Sequence, residues 1–543
     1  MLCEAHDVRS EVEYREKMRA SGRLMTCFNI GLKTWSETAR ALEFIHSETE
    51  RRGFRIDRYQ LNLDRRMGLP SSLWDKAPKE TGPMLETPND WAGTTQTVPI
   101  QPHLGDMMIG SPMSVDNARN ALEAGVNYIG NMSQFGWKYP VWPGDDVEQV
   151  AETVKALGLM ASKLEEDAVL HSYLDDGFCA QFKDYCSYIG WALLEHYIID
   201  DLVGARVAIA YGGLTHNPMT KAAMILALES ITPETTHNPF YHGNTTAYGS
   251  DLDANFATLS LDVLYTMLAQ IHTHSATPTL PIPVTEALRI PSADEIVQVH
   301  TVARRIARDS ERLMEAIDWP RIERLRDQLI EGGKVFFDNL MNGFMDLHID
   351  IEDPMELLVL IRRLGGAELE RRFGAGKRPI YDSETYQPLV PTDTFEDFLS
   401  TREQIRETFH AVGSKVNATG RPIIGSTDIH EFAMLVLIDA LQTLGLSPIV
   451  AGTSVDPEEF ADLALEAGAT AIFISTHNGM ALTYAQALID AMATRNLDIP
   501  IAMGGTLNQD IEGVPTPLDV GDELKELGVW VCREIDDILP LLQ

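Results

Sequence analysis

Residues 421–543 repeat one pattern, in which a short apolar segment precedes a segment with the apolar periodicity of a helix. Regular alternation of strands and helices is typical of a parallel sheet covered by helices. The pattern therefore predicts a doubly wound, flavodoxin-like (Rossmann-like) domain with five strands. The predicted strands are 423–424, 447–451, 471–474, 499–503 and 529–531, and the predicted helices between them are 432–444, 457–467 and 483–493.

Polar residues and glycines follow three of these predicted strands, namely the first, the third and the fourth. Open α/β sheets bind ligands at the carboxyl ends of their strands. A histidine placed there can bind a metal through one ring nitrogen while a carboxylate orients the other. Taken singly, the segments are also typical of an Asx turn, a turn serine and a glycine turn. They are Gly425-Ser426-Thr427-Asp428-Ile429-His430, Ser475-Thr476-His477 and Gly504-Gly505.

Residues 1–370 also alternate short apolar runs with helical patterns, for example the predicted helix 114–124 and the predicted strand 126–130. Such alternation over most of a long region favours a (β/α)8 barrel, with an open doubly wound sheet as the alternative. Residues 371–420 are richer in glycine and proline in a polar setting, which predicts a linker or an extended excursion. The predicted domains are thus 1–370, 371–420 and 421–543.

The balance of charge limits the classes of partner. The 543 residues carry 44 basic and 80 acidic side chains, for a net charge of −36. Nucleic acids and anionic membrane surfaces attract clustered Lys and Arg, so neither is an expected partner. The five cysteines are scattered, without a CxxC pair, and do not form the pattern of a disulfide framework. No apolar run approaches the roughly 18 residues of a membrane span, and residues 1–23 do not resemble a secretory signal. We expect a cytoplasmic protein.

The three strand-end segments resemble the cobalamin-binding domain of corrinoid-dependent isomerases and methyltransferases. That family has Asp-x-His-x-x-Gly, a later Ser-x-Leu and a Gly-Gly pair. The resemblance implies that His430 binds cobalt and that Asp428 holds its far ring nitrogen. It also implies that Ser475 contacts the displaced base of the cofactor. Two positions depart from the family, Ala433 for the motif glycine and His477 for the leucine. The implied cofactor-binding residues are Gly425, Thr427, Asp428, His430, Ser475, His477, Gly504 and Gly505.

Residues 20 to 410 are similar to the catalytic barrel subunit of glutamate mutase (methylaspartate mutase). The best local match is 283–291, where Glu286 falls on the glutamate that holds the adenosyl ribose in that family. Arg66, beside Arg65, lies where the family carries an arginine that contacts the substrate. Without the resemblance, Glu286 is equally typical of a helix cap or surface carboxylate, and the two arginines of a solvated basic pair.

Other positions differ from glutamate mutase in ways that concern the substrate. Methionines at 107, 108 and 132 occupy places where the family has an arginine and a glutamate that bind substrate carboxylate and amine. Lys138 and Tyr139 are candidates to bind one carboxylate. The resemblance therefore implies a small carboxylic or amino acid other than glutamate. Further polar candidates near predicted loops are His103, Asp106, His216, His237 and His242.

These observations predict an adenosylcobalamin-dependent radical isomerase, a carbon-skeleton mutase acting on a small molecule. The resemblance also implies a homodimer. Two alternatives stay open: a cobalamin-binding sensor or carrier without isomerase activity, and a corrinoid methyltransferase. The catalytic residues implied are Glu286, Arg66, Lys138 and Tyr139, and the metal ligand implied is His430, bound to the cobalt of cobalamin.

Overall fold

The structure, a computed structural model, describes residues 1–79, 82–139, 141–234, 236–377, 386–413, 420–428, 431–477, 479–509, 511 and 517–542. The chain divides into two compact units, Met1–Thr392 and Asp393–Gln543. Both are built from helices and mainly parallel strands, with one antiparallel pair in the second unit, which confirms the predicted α/β class. No helix among the described residues combines the length and apolarity that crossing a membrane requires.

The described part of the N-terminal unit contains eight short strands. They pair in parallel as β1-β2-β3, β4-β5-β6 and β7-β8. Single parallel bridges continue this order, with Leu104–Ile129 linking β3 to β4, Tyr211–Tyr241 linking β6 to β7, and Thr26–Thr279 linking β8 to β1. The strands are β1 Cys27–Ile30, β2 Arg58–Leu61, β3 Gln101–His103, β4 Tyr128–Gly130, β5 Val169–Tyr173, β6 Val207–Ala210, β7 Tyr241–His242 and β8 Thr279–Leu280.

A helix follows each of these strands, and several begin with the caps that their sequences encode. Thr87, Asp145 and Ser292 each form a capping box with an acidic residue three positions later, which satisfies two backbone N–H groups at once. The helices are α1 Leu2–His6, α2 Glu11–Ala20, α3 Trp35–Arg51, α4 Pro88–Gln96, α5 Ser114–Glu123, α6 Asp146–Ala161, α7 Tyr185–His196, α8 Pro218–Ile231, α9 Leu252–Thr273, α10 Ala293–Leu313, α11 Trp319–Asp346, α12 Pro354–Leu364 and α13 Gly366–Phe373.

Segment 371–420, predicted as a linker, divides between the two units. Asp184 holds residues 389 and 390, because its carboxylate accepts hydrogen bonds from Leu389 N at 2.7 Å and Val390 N at 3.1 Å. In return, Tyr185 N donates to Val390 O at 2.8 Å. The rest contains helix α14 (Asp393–Gly413) of the C-terminal unit. The predicted boundary at 370 falls inside α13, whereas the units meet at residue 392.

The C-terminal unit has the five-stranded parallel sheet that the sequence predicts. The strand order is β10-β9-β11-β12-β15, the flavodoxin-like order with the first strand between the second and the third. A 3-10 helix, Ile535–Leu542, follows the last strand of the sheet. The other elements are β9 Pro422–Ser426, α15 Phe432–Thr443, β10 Ile449–Gly452, α16 Pro457–Ala467, β11 Ala471–Thr476, α17 Ala481–Thr494, β12 Ile501–Gly505, β13 Asn508–Gln509, β14 Leu518–Asp519, α18 Gly521–Glu526 and β15 Trp530–Val531.

Glu11 and Arg15 of helix α2 form a buried cluster of charged side chains with Arg58 of β2, at the amino ends of the N-terminal strands. Glu11 Oε1 lies 3.3 Å from Arg15 Nε and 3.2 Å from Arg58 Nε, and all three side chains are buried. The two guanidinium groups lie over the Tyr128 ring, 4.6 and 4.2 Å from its centroid. Arg15 also donates to the backbone oxygens of residues 237, 238 and 239. The amino end of these strands is thus filled by paired charges.

Removing Glu11 is expected to destabilise the N-terminal unit strongly. In Glu11→Ala, two buried guanidinium groups lose the carboxylate between them, which costs about 3–5 kcal/mol of unfolding free energy. Urea denaturation followed by circular dichroism measures this loss. Glu4→Ala, at an exposed position of α1, is the matched control and is expected to change stability by less than about 0.5 kcal/mol. Equal stability of the two variants would show that the cluster does not hold this end together.

Candidate functional site

The polar segments of the C-terminal unit meet at one edge of its sheet. Ser475 is paired in register with Ser426 on one side and with Gly504 on the other. The backbone continues this contact past the end of the strands, since Thr427 N donates to Ser475 O at 2.9 Å. The ends of β9, β11 and β12 are therefore adjacent, as the strand order requires.

Asp428 lies in the turn that leaves β9. Ser426 Oγ donates to Asp428 Oδ1 at 3.3 Å, and Asp428 N donates to Ser426 Oγ at 3.3 Å. Asp428 O accepts from Ser454 N at 3.0 Å, which ties this turn to the segment after β10. Ile429 and His430 lie outside the described residues. The predicted axial ligand is thus adjacent in sequence to an anchored turn.

The glycines at this edge are required by the fold itself. A Cβ on Gly425 would lie 2.7 Å from Cε2 of Phe460. Gly505 has a φ of +90°, and a Cβ there would collide with Thr476 O. Gly504 is less constrained, because its Cβ would lie 3.3 Å from Cys532 O. Packing alone therefore explains Gly425 and Gly505, whichever ligand binds nearby.

The same edge carries buried polar atoms without a hydrogen-bond partner among the described residues. They are Thr427 Oγ1, Thr476 Oγ1 and Asn508 Oδ1. Buried polar atoms are nearly always hydrogen-bonded in native proteins, so these three fit an edge that binds a polar ligand. His477 is exposed beside them, with Nδ1 3.0 Å from Thr506 Oγ1. Ser475 is half-buried at the end of β11.

In the N-terminal unit, three of the four predicted catalytic residues lie in the loops after β2 and β4. Arg66 forms a two-point ion pair with buried Asp64, at 2.9 and 2.8 Å. Its neighbour Arg65 donates to Lys138 O and lies with Cζ 5.4 Å from the centroid of the Tyr139 ring. Lys138 is exposed and Tyr139 is buried. The loops bring Arg65, Lys138 and Tyr139 together.

Glu286, the fourth predicted residue, lies in a turn after β8 and is exposed. Its position at the carboxyl end of a strand is the position that the resemblance implies. Among the further polar candidates, Asp106 follows a strand, and His242 and His103 each end one. His103 is fully buried, with its ring 4.2 Å from that of His171. His237 lies at the amino end, 2.6 Å from Glu16, and His216 in the loop after β6.

A carboxylate and amide cluster lies after β3, β4 and β5. Asp106 was among the polar candidates from the sequence, whereas Gln134 and Asp176 were not. Gln134 Nε2 donates to Asp106 Oδ1 at 3.2 Å and to Asp176 Oδ2 at 2.8 Å. Asn131 Nδ2 donates to Asp176 Oδ2 at 3.0 Å. The Gln134 orientation is fixed because its Oε1 accepts from Met107 N at 3.0 Å, a group that can only donate. Burial and the Asp106 charge hold the pKa of Asp176 well above its usual range.

A second part of this cluster surrounds Tyr173, the last residue of β5. The Tyr173 and His242 rings stack with centroids 5.5 Å apart. Asp175 Oδ2 accepts from Gly212 N at 2.7 Å and Gly213 N at 2.8 Å. Burial raises the pKa of Asp175 to about 6 and lowers that of His242 to about 4, while burial and the two nearby carboxylates raise the pKa of Tyr173. At neutral pH the histidine and the tyrosine are therefore uncharged.

The place of these residues in the sequence could have identified them. Asp175 and Asp176 come within three residues of the end of the buried strand β5, just as Asp106 comes three residues after β3. The rule applied to the C-terminal unit, that polar residues at strand ends mark ligand sites, would have identified them. Met107 lies beside the cluster, since its backbone N–H donates to Gln134 Oε1.

The described residues contain no group of three or more His, Cys, Asp or Glu side chains arranged to hold a metal ion. The predicted cobalt ligand His430 is outside that part of the chain. At the C-terminal sheet edge and in the N-terminal carboxylate and amide cluster, the described side chains are suited to binding a polar or charged ligand.

Comparisons with known proteins give distant likenesses only. No protein-family model and no curated protein matches the chain. One similar solved structure is a cobalamin-binding protein from Desulfitobacterium hafniense DCB-2, 14% identical over 27% of this chain and 68% of that one, with a TM-score of 0.21. Another is the methanol:cobalamin methyltransferase complex from Methanosarcina barkeri, 10% identical over 55% of this chain and 87% of that one, with a TM-score of 0.17. TM-scores this low do not establish a common fold.

Substitution of Gly505 tests whether packing at the sheet edge requires a glycine. Gly445 also has a positive φ, +82°, but a Cβ there would meet no atom within 4 Å. Gly445→Ala therefore measures backbone strain alone, about 1 kcal/mol of unfolding free energy. Gly505→Ala adds the collision with Thr476 O and is expected to cost about 1–3 kcal/mol more. Denaturation of both variants gives the difference, and equal losses would contradict the packing explanation.

Proposed function

We propose that the C-terminal unit binds cobalamin, with His430 as the lower ligand of cobalt and Asp428 orienting its imidazole. The observation that carries this proposal is the register of β9, β11 and β12. It brings the end of β9, which Asp428 follows, to the same edge as Ser475 and the Gly504-Gly505 pair, where doubly wound sheets bind ligands. Ser426 contacts the Asp428 carboxylate and Ser454 N donates to the Asp428 backbone oxygen, so the turn that would carry the orienting carboxylate is anchored on both sides.

The residues of this edge fit the proposed cofactor. Cobalamin is large and carries many amide side chains, which both donate and accept hydrogen bonds. The buried hydroxyls of Thr427 and Thr476 and the buried amide oxygen of Asn508 have no partner among the described residues, and they suit such groups. At Gly504 the absence of a side chain lets a ligand approach the backbone closely.

We further propose that the N-terminal unit is a closed (β/α)8 barrel that carries the active site of an adenosylcobalamin-dependent isomerase. Support for closure comes from the three bridges, which continue the strand order from β3 to β4, from β6 to β7 and from β8 back to β1. Support for the active site comes from the carboxyl-end cluster around Asp175 and Asp176, because barrel enzymes place their chemistry at that end. A homodimer and a small-molecule substrate belong to the same proposal.

Adenosylcobalamin, when bound, supplies the organic radical that starts such an isomerisation. The residues of the chain then have to bind the substrate, orient it and exclude water. Buried Asn131, Gln134 and Asp175 are held by several hydrogen bonds each, so the wall of the site is ordered. Arg66 is already engaged by Asp64. Because Asp64 already neutralises the arginine that would contact the substrate, this ion pair favours one alternative, a cobalamin carrier without isomerase activity.

The axial ligand is tested by the visible spectrum of the full-length protein with adenosylcobalamin. We expect the wild type to bind the cofactor with its own base displaced and histidine in its place, and His430→Ala to lose that signature. His410→Ala, at an exposed position of α14, is the matched control and should keep the wild-type spectrum. An unchanged spectrum in His430→Ala would overturn the assignment of the ligand, and no cofactor binding by the wild type would overturn the function.

Electron paramagnetic resonance distinguishes the candidate functions. An isomerase is expected to give a radical signal when the adenosylcobalamin form is mixed with its substrate, so a panel of small carboxylic and amino acids is the probe. Tyr173→Phe, inside the carboxyl-end cluster, should weaken this signal, whereas Tyr265→Phe outside it should not. Methyl transfer from methylcobalamin to a thiol would identify a methyltransferase instead, and cofactor binding without either reaction would identify a carrier.

A further inference from the structure

The chain leaves the N-terminal unit through residues 386–392, called here the connecting segment, and Asp184 holds this segment. Asp184 Oδ1 accepts from Val390 N at 3.1 Å, and Oδ2 accepts from Leu389 N at 2.7 Å and from the Tyr386 hydroxyl at 3.1 Å. The tyrosine oxygen itself accepts from a backbone N–H, so its proton is directed at the carboxylate. Asp184 therefore binds the connecting segment as an ionised carboxylate, because a proton on either oxygen would face donors.

A second buried carboxyl group, that of Glu370 in α13, holds the backbone of Asp184. Glu370 Oε1 accepts from Asp184 N at 3.1 Å, and Oε2 accepts from Lys183 N at 2.7 Å. Asp184 is 0% exposed and Glu370 is 3% exposed, so water does not screen one from the other. Two carboxyl groups buried this close together cannot both ionise without a large cost. One of the two therefore carries a proton.

The hydrogen bonds assign this proton to Glu370. The third partner of its carboxyl group is the Ser187 hydroxyl, 2.8 Å from Oε1. A hydroxyl can accept as well as donate, whereas the backbone N–H groups around Asp184 can only donate. Burial and the Asp184 charge raise the pKa of Glu370 to about 8. At neutral pH the glutamic acid is thus neutral and its neighbour is charged.

The other titratable groups that face Glu370 keep their charge near neutral pH. They are Cys179, Cys186 and Tyr386, and burial raises the pKa of each of them, so all three stay neutral. The Lys183 charge acts on Glu370 in the opposite sense to the Asp184 charge and more weakly. Among these described groups, Glu370 is the one that changes charge between about pH 6 and pH 9.

We propose that loss of the Glu370 proton releases the connecting segment, so that pH controls how firmly the chain is held where it leaves the N-terminal unit. While the segment stays in place, a second charge beside Asp184 is buried, whereas opening lets water reach both carboxylates. The closed state binds the proton more tightly than an open, hydrated state. Its hold is therefore full below the ordinary pKa of a glutamate and is lost as the pH rises through about 8.

Hydrogen–deuterium exchange of the full-length protein, resolved into peptides by mass spectrometry, tests this release. After correction for the intrinsic pH dependence of amide exchange, the protection factor of the connecting segment is expected to fall at least tenfold between about pH 6 and about pH 8.5. Peptides from α17 are the internal reference and should show no such fall. Protection of the connecting segment that does not change with pH, or that falls equally in α17, would overturn the proposal.

A substitution identifies the group that loses the proton. Glutamine cannot ionise, so the connecting segment of Glu370→Gln is expected to lose its pH dependence. Glu331→Gln, at an exposed position of α11, is the matched control and should keep the pH dependence of the wild type. Circular dichroism verifies folding. A folded Glu370→Gln variant with the pH dependence of the wild type would contradict the proposal.

Asp184→Asn tests the hold on the connecting segment without altering Glu370. Its amide nitrogen would face the N–H groups of Leu389 or Val390, so protection of the segment should fall at least tenfold at both pH values. Wild-type protection in a folded Asp184→Asn variant would show that the carboxylate does not hold the segment. If Glu370→Gln does not fold, the comparison of the connecting segment with α17 in the wild type decides between the two outcomes.

Discussion

Parallel strand pairing is the constraint on which both units depend. When neighbouring strands run in the same direction, all their carboxyl ends lie at one edge and all their amino ends at the other. Residues far apart in sequence, such as Asp106, Asn131 and Asp176, then meet because each follows a strand. In the C-terminal unit the same pairing brings Asp428 and Ser475 to one edge. Strand pairing therefore sets the positions of the loops, and the side chains in the loops determine which ligand can bind.

The two ends of the N-terminal strands use buried charge differently. At the amino end, Glu11 lies between Arg15 and Arg58, so opposite charges face each other, and the arginines also donate to backbone oxygens. At the carboxyl end, Asp106 and Asp176 share the amide of Gln134 instead of an arginine or lysine. Opposite charges in contact stabilise the amino end, whereas neighbouring carboxylates raise the pKa of Asp176.

Two different constraints of the fold require glycines at the C-terminal sheet edge. Gly425 packs against Phe460, and Gly505 has a backbone conformation and a neighbour that exclude a side chain. Their presence follows from the fold, and it would be the same in a domain that binds another ligand. The backbone does not require the hydroxyls of Thr427 and Thr476, which are buried without a partner among the described residues. These hydroxyls therefore indicate a ligand at this edge more directly than the glycines do.

The sequence by itself determined the secondary structure and the C-terminal sheet. Helix Pro457–Ala467 is observed with the predicted bounds, and the others lie within a few residues, because apolar periodicity and local caps act over short distances. It also indicated which residues end the strands of that sheet. The predicted roles of Glu286, Arg66, Lys138 and Tyr139 stay predictions.

Only the tertiary structure showed where the first unit ends, because Asp184 accepts hydrogen bonds from backbone N–H groups about two hundred residues later. It alone revealed the carboxyl-end cluster, since Asp106, Gln134 and Asp176 follow three different strands and meet through hydrogen bonds. It also showed that Arg66 is paired with Asp64. Such contacts join positions distant in the chain, so their donors and acceptors can be counted only after the strands are paired.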